Sequence, residues 1–423
     1  MQNSNITNPQ TLPLDTAAIL YSYTKTKTWN QTYRISAILY DDVNEELLKQ
    51  AVRKLRYRFP SFYTRISQGF LWKQLKSAPV DVDEIVVHDK EFCSPVNTES
   101  KYAPLFKIRY YNKRISLDIF HGITDGHGAI TYLKTLLATY FNLQGITIPC
   151  THGILDINES PKVEELEDGY LKFYDKSKGK ASRSEKVAYQ HYINDKDGNF
   201  SIMQAKVSVS DVKKITKALG VSVTEYLVAL YAYSYYIHKD HRIRRPIKIQ
   251  YPIDLRNIFG LQTLRNFSLV MSISLPYRKE KYTFEEVLET TVKQISESKD
   301  KNKLQKMLNT NASDAAMAIT KYSPSFMKQP FIIAGFLLYG ERMVTSPISN
   351  VGLISAPDEL KELVDYFDFT IGATKMNSIN ASVCAFKDSM VITFSTKKVR
   401  KEVQKTFFEL LQKQGVNIEY TIE

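Results

Sequence analysis

The apolar residues of this chain keep changing period, from two to between three and four and back, and that alternation constrains the fold more than any other feature. Residues 32–40 (Thr-Tyr-Arg-Ile-Ser-Ala-Ile-Leu-Tyr) alternate as a strand does. From Glu45 onward, Leu47, Leu48, Ala51, Val52 and Leu55 make one helical stripe, with Asn44 placed to cap it and Pro60 to end it. Residues 106–111 and 115–120 read as a hairpin about Asn112-Lys113-Arg114. Beyond Gly126, the residues Ile130, Leu133, Leu136, Leu137, Tyr140 and Phe141 return to helical spacing. The second half repeats this grammar. Strands are expected at 202–209, 247–251 and 269–275, with helices capped by Ser210 and Thr224. A long amphipathic helix follows at 284–309, then a strand pair at 378–386 and 390–394, and a closing helix at 400–414 before Gly415. Strands and helices interleaved this way, with hairpins as well as crossovers, predict an α/β protein with mixed sheets in sandwich layers.

Residues 153–186 interrupt the pattern with charges of both signs and few periodic apolar positions. They divide the chain into an N-terminal domain (1–152), a charged linker or crossover (153–186) and a C-terminal domain (187–423), a division that suits 423 residues. An apolar fraction of 43% beside 24% charged residues excludes a mainly disordered chain. Cys93, Cys150 and Cys384 are too few and too scattered for a disulfide framework or a CxxC metal site. No secretory leader is visible, and no apolar run reaches the roughly 18–20 residues of a spanning helix, so a soluble, cytoplasmic protein is expected. The apolar stretch 331–339 reads as a buried helix at the domain interface; an acyl-tunnel wall or a peripheral membrane contact is the alternative.

The formal charge of +12 admits nucleic acid, an anionic membrane, or a phosphate-bearing or acidic partner. No zinc-finger, basic-zipper or RNP-type pattern supports nucleic acid. Residues 201–250 hold nine Lys and Arg against three Asp and Glu, and the densest part runs through Lys239, His241, Arg242, Arg244, Arg245 and Lys248. This is either a solvated loop or a phosphate-binding cluster.

One string carries chemistry: Phe120-His121-Gly122-Ile123-Thr124-Asp125-Gly126, set between a strand and a helix. The two glycines suit a tight turn, and Gly126 suits a close approach of neighbouring backbone. An imidazole titrates near pH 6.5 and takes a proton from a hydroxyl, amine or thiol at neutral pH. Asp125 is placed to hold the turn. His127, one step into the helix, is expected to face solvent. His121, Asp125 and His127 lack the spacing of a metal site, so no metal is expected.

His121-x-x-x-Asp125-Gly126 after such a hairpin resembles the chloramphenicol acetyltransferase-like superfamily. The likeness runs over residues 13–415 and is greatest to the branch of alcohol acetyltransferases, polyketide-associated acyltransferases and condensation domains. Residues 43–65, from Val43 through the Arg58-Phe59-Pro60 exit, resemble that branch's first helix; Tyr251-Pro-Ile-Asp-Leu-Arg256 resembles its Pro-Val-Asp-Leu-Arg segment; Ser349-Asn-Val-Gly352 resembles its Ser-Asn-Leu-Gly segment. The resemblance implies two similar domains with an active-site channel between them. It implies an acyltransferase acting from a thioester, acyl-CoA or the phosphopantetheine of an acidic acyl carrier protein, on an alcohol or amine, with no tightly bound cofactor. His121 would be the general base, Asp125 and Gly126 structural, and Arg256 the partner of Asp125. Ser349, Asn350 and Thr374 are candidates to stabilise the oxyanion or hold the acceptor; Arg242, Arg244, Arg245 and Lys248 are candidates for donor phosphates or a carrier. Condensation domains carry two adjacent histidines where this chain has Phe120-His121, which points to ester rather than amide formation. An alcohol O-acetyltransferase is therefore expected first. A stand-alone amide-forming condensation enzyme and a non-catalytic acyl-carrier or lipid-binding module are the alternatives.

Overall fold

The computed structural model describes residues 11–24, 31–79, 81–90, 96–182, 186–191, 197–315, 324, 327–330, 332–334, 340–372 and 379–422. Two large sheets organise it. The five-stranded sheet runs in the order Val364–Ile371, Thr32–Leu39, Arg114–Phe120, Phe106–Tyr111, Val86–His88. Its last pair is parallel and the others are antiparallel. The seven-stranded sheet runs Ser268–Leu275, Ile247–Asp254, Ser346–Leu353, Ile379–Phe386, Ser389–Lys398, Asp197–Ser208, Glu419–Ile422. Ser346–Leu353 is parallel to both its neighbours, so this sheet is mixed as well. A third, small sheet joins Thr11–Pro13, Lys73–Ser77 and Thr64–Gln68. The α/β sandwich with mixed sheets expected from the periodicity is what forms.

Each large sheet has its own apolar core. Helices Glu45–Leu55 and Gly126–Asn142 cover the five-stranded sheet, burying Leu48, Val52, Leu133 and Leu137 against Ile35, Leu117 and Ile119. Helices Val223–Ile237 and Glu402–Lys413 cover the seven-stranded sheet, burying Leu230, Tyr231, Phe407 and Phe408 with Phe394. Caps set the starts: the Asn44 side chain accepts from the Leu47 amide at 3.1 Å. Ser222 and Glu225 form a capping box, so the cap of the apolar helix lies two residues before the Thr224 expected from sequence. The cap before Val209–Ala218 is Ser208 rather than Ser210, whose amide and hydroxyl bind Asp388 instead. The expected 284–309 helix is two helices, Phe284–Ser298 and Lys301–Ala315, because Asp300 turns its carboxylate to the Lys303 amide and starts a new one.

Two features bind the halves. Strand Val364–Ile371, late in the chain, completes the N-terminal sheet beside Thr32–Leu39. It also lies against the C-terminal sheet, where Ser382 Oγ donates to the Phe369 carbonyl at 2.6 Å. The crossover 153–186 is pinned through a buried ion pair, Glu165 with Arg58 at 2.6 and 2.7 Å, and the Glu165 carbonyl accepts from Leu264 N. Of the apolar stretch 331–339 only residues 332–334 are described, and they are helical.

Candidate active site

The His121 turn begins where Arg114–Phe120 leaves the five-stranded sheet. Phe120 is buried, and its ring packs so close to Gly122 that a Cβ there would sit 2.2 Å from a ring carbon. The His121 amide donates to the Gln31 carbonyl at 2.9 Å, fixing the start of the turn. Asp125 then caps the Gly126–Asn142 helix, its Oδ1 accepting from the His127 and Gly128 amides at 3.2 and 3.5 Å. The close backbone approach expected at Gly126 falls at Gly128: a Cβ there would lie 2.4 Å from the Leu264 carbonyl oxygen. At Gly126 the added carbon would meet only a Val351 methyl at 3.1 Å.

The structure brings Asp125 and Arg256 into direct contact. The Arg256 guanidinium donates to both carboxylate oxygens at 2.9 and 3.0 Å, and the Phe267 amide adds a bond at 2.9 Å. The remaining Arg256 donors reach the carbonyls of Thr263 and Arg265 and the Asp254 carboxylate. Both partners are buried. Burial by itself would raise the Asp125 pKa, but Arg256 and the Phe267 amide outweigh it and hold the carboxyl below its usual value. Both residues are among those that line the cavity beside His121.

His121 sits on the wall of a cavity of about 1930 Å³ between the two sheets' loops. Its ring packs on Tyr21 and Tyr33, with centroids 4.4 and 5.0 Å away. Burial lowers its pKa, against the raising effects of backbone carbonyls, Asp125 and Asn266. A residue missed by the sequence reading fixes its protonation. His121 Nδ1 lies 3.0 Å from Asn266 Oδ1. The Asn266 amide nitrogen donates to the buried Asp15 carboxylate at 3.2 and 3.4 Å, which orients the oxygen toward the imidazole. An oxygen acceptor at Nδ1 keeps the proton there and leaves the lone pair on Nε2. Asp15 is itself desolvated, and its pKa is pushed up to about 6 although Arg265 pulls it down.

The other expected residues divide. Ser349 and Asn350, on Ser346–Leu353, line the same cavity. Asn350 is engaged, donating to Thr224 Oγ1 at 3.2 Å and accepting from the Gly352 amide at 2.8 Å. The Ser349 hydroxyl makes no hydrogen bond to any described residue. Thr374 lies outside the described residues. Arg242, Arg244, Arg245 and Lys248 do not line the cavity. Arg242 is held by Asp240 of its own loop at 2.8 Å, Arg244 lies over the Tyr277 ring, Arg245 is exposed and Lys248 is buried in Ile247–Asp254. His127 is exposed as expected, yet it also lines the cavity, 3.9 Å from Asp254. Among the described residues no cluster of His, Cys, Asp or Glu is arranged to hold a metal ion, and no helix is long and apolar enough to cross a membrane.

No protein-family model and no curated protein matches the sequence. Solved structures do. The chain superimposes on the trichothecene 15-O-acetyltransferase TRI3 of Fusarium sporotrichioides with a TM-score of 0.61 and 11% identity, covering 95% of this chain and 93% of that one. TRI101 of F. graminearum, crystallised with coenzyme A and deoxynivalenol, gives 0.62 at 11% identity over 97% and 99% of the two chains. The first condensation domain of the CDA synthetase gives 0.62 at 10% identity over 96% and 95%. The fold is thus the two-domain chloramphenicol acetyltransferase-like fold, along essentially the whole chain.

Proposed function

We propose that the protein is an acyltransferase moving an acyl group from a coenzyme A thioester to the hydroxyl of a small alcohol, with His121 as general base. The observation that carries this is the Asp15–Asn266–His121 relay, which commits Nδ1 to an internal acceptor and leaves Nε2 basic at a cavity wall. The fold's neighbours include an O-acetyltransferase and a structure holding coenzyme A, which supports that donor and that acceptor class. In the reaction, Nε2 takes the acceptor's proton as its oxygen attacks the thioester carbonyl. The C–O bond forms and the carbonyl electrons move to oxygen. Collapse of this tetrahedral species breaks the C–S bond, and the imidazolium returns its proton to the departing thiolate. General base catalysis of this kind contributes roughly 10²–10⁴-fold. The unengaged Ser349 hydroxyl is the candidate donor to the oxyanion. Asp125 and Arg256 touch neither reactant and act by holding the turn. Phe120, buried in the core, leaves no second imidazole for amide synthesis.

Acetyl- and longer acyl-CoA with a panel of alcohols and amines, followed by mass analysis of products, tests the reading. Esters are expected. Amides alone would favour a condensation enzyme, and no product from any donor, carrier-bound thioesters included, would favour a binding module.

A further inference from the structure

The cavity wall carries more positive charge than its own carboxylates balance. The acidic side chains that line it are Asp125, Asp254, Glu164 and Glu165. Arg256 holds the first two and Arg58 holds Glu165, which leaves Glu164 as the carboxylate without an ion pair among the described residues. Lys134, Lys162, Lys180, Lys303 and Lys306 line the same wall. Lys134 is engaged by the carbonyls of His152 and Ser355, and Lys162 stands two positions from Glu164. Lys180, Lys303 and Lys306 are exposed, and among the described residues none of them makes an ion pair or a side-chain hydrogen bond.

The fold brings these three together. Helix Lys301–Ala315 lines the cavity with Lys303, Lys306, Met307, Thr310 and Asn311, the spacing of a single helix face. The crossover segment 176–182 is tied along that helix. The Ala181 amide donates to the Lys306 carbonyl at 3.2 Å and to Thr310 Oγ1 at 2.9 Å, and the Asn309 side-chain amide donates to the Gly179 carbonyl at 2.8 Å. Lys180 is thereby docked beside Lys306. The acids that precede the two elements are turned to other partners. Asp175 accepts from the Ser177 amide and hydroxyl at 2.9 and 2.6 Å, and Asp300 accepts from the Lys303 backbone amide at 2.8 Å. Cations set on two joined elements, with no anion of their own, suit a ligand carrying several phosphate charges.

We infer that Lys180, Lys303 and Lys306 form a phosphate site that holds the nucleotide phosphates of a coenzyme A thioester, with the pantetheine arm running along the cavity toward His121; the choice of ligand rests on the acyltransferase reading. Isothermal titration calorimetry with coenzyme A, adenosine bisphosphate, phosphopantetheine and pantetheine tests it without any turnover. The unaltered chain is expected to bind coenzyme A and adenosine bisphosphate, and to bind the two pantetheine compounds at least about tenfold more weakly than coenzyme A. A variant carrying Lys180→Gln, Lys303→Gln and Lys306→Gln, checked by circular dichroism to be folded, should bind both nucleotides about ten- to a hundredfold more weakly and lose most of the salt dependence. Arg242→Gln with Arg244→Gln, outside the cavity, should change neither. If no acyl transfer is found while nucleotide binding and its loss in the lysine variant persist, the acyltransferase reading fails and the phosphate site stands. Unchanged coenzyme A binding by the lysine variant, an equal loss in the arginine variant, pantetheine or phosphopantetheine bound as tightly as coenzyme A, or no binding of adenosine bisphosphate would each overturn it.

Discussion

An imidazole serves as a base only while one nitrogen keeps its lone pair, and in this protein Asn266 decides which. Its oxygen accepts from Nδ1 because its nitrogen is taken by Asp15. When Nε2 takes the acceptor's proton, that bond becomes one from a charged donor, worth about 1.5–3 kcal/mol. Asn266→Ala should therefore lower kcat roughly ten- to a hundredfold with a smaller change in KM, as steady-state kinetics would show. The pH profile has a definite sign. Burial lowers the His121 pKa below its ordinary 6.5, so the neutral base persists through neutral pH. The rate is expected to stay level from neutral pH down and to fall only below about 6.5; a limb centred above pH 7 would show an imidazole held charged. None of this relay was legible in the sequence. His121 itself stood out because its turn is local, whereas Asn266 lies 145 positions away and Asp15 a further 251 from Asn266.

At the scale of elements, the turn and its helix depend on two tight places. Asp125→Ala removes the cap and leaves Arg256 buried without its main partner, a loss of about 3–5 kcal/mol, to be read as a lower urea midpoint alongside any loss of rate. Gly128→Ala would drive a methyl into the Thr124 hydroxyl at 2.1 Å and the Leu264 carbonyl at 2.4 Å. A cost of about 1–3 kcal/mol is expected, with less for Gly126→Ala, where a valine methyl can shift. Calorimetry of the two variants should rank them in that order. Sequence reading favoured Gly126 because it completes the motif; only the position of Leu264 across the interface singles out Gly128. Helices capped by nearby side chains, such as Glu45–Leu55, were legible. The break at Asp300 was hidden, since the apolar stripe runs on across it. The charges of 153–186 suggested solvent, but Glu165 is buried because Arg58, far off in sequence, meets it.

For the whole molecule, the halves are less separable than the periodicity suggests. The repeated strand–helix grammar predicted two α/β layers, and two large sheets formed. No local pattern showed that Val364–Ile371 would add to the N-terminal sheet, because pairing with Thr32–Leu39 is a long-range choice. A fragment of residues 1–186 would lack that strand and leave the edge of Thr32–Leu39 bare. It is expected to aggregate rather than give a cooperative unfolding transition. Supplying residues 187–423 in trans should improve its solubility. The excess charge also rearranges at this scale. The basic loop of residues 239–248, the densest part of that excess, does not line the cavity.

The central claim is that His121 is the base at the wall of an acyl-transfer cavity. Acceptor-dependent thiol release from acetyl-CoA, measured for the unaltered protein and for His121→Ala under the same conditions, tests it most directly. The account predicts release that rises with added alcohol and falls by at least about a hundredfold in the variant. Release at the same rate in both proteins, or none from the unaltered one with any alcohol, would contradict it.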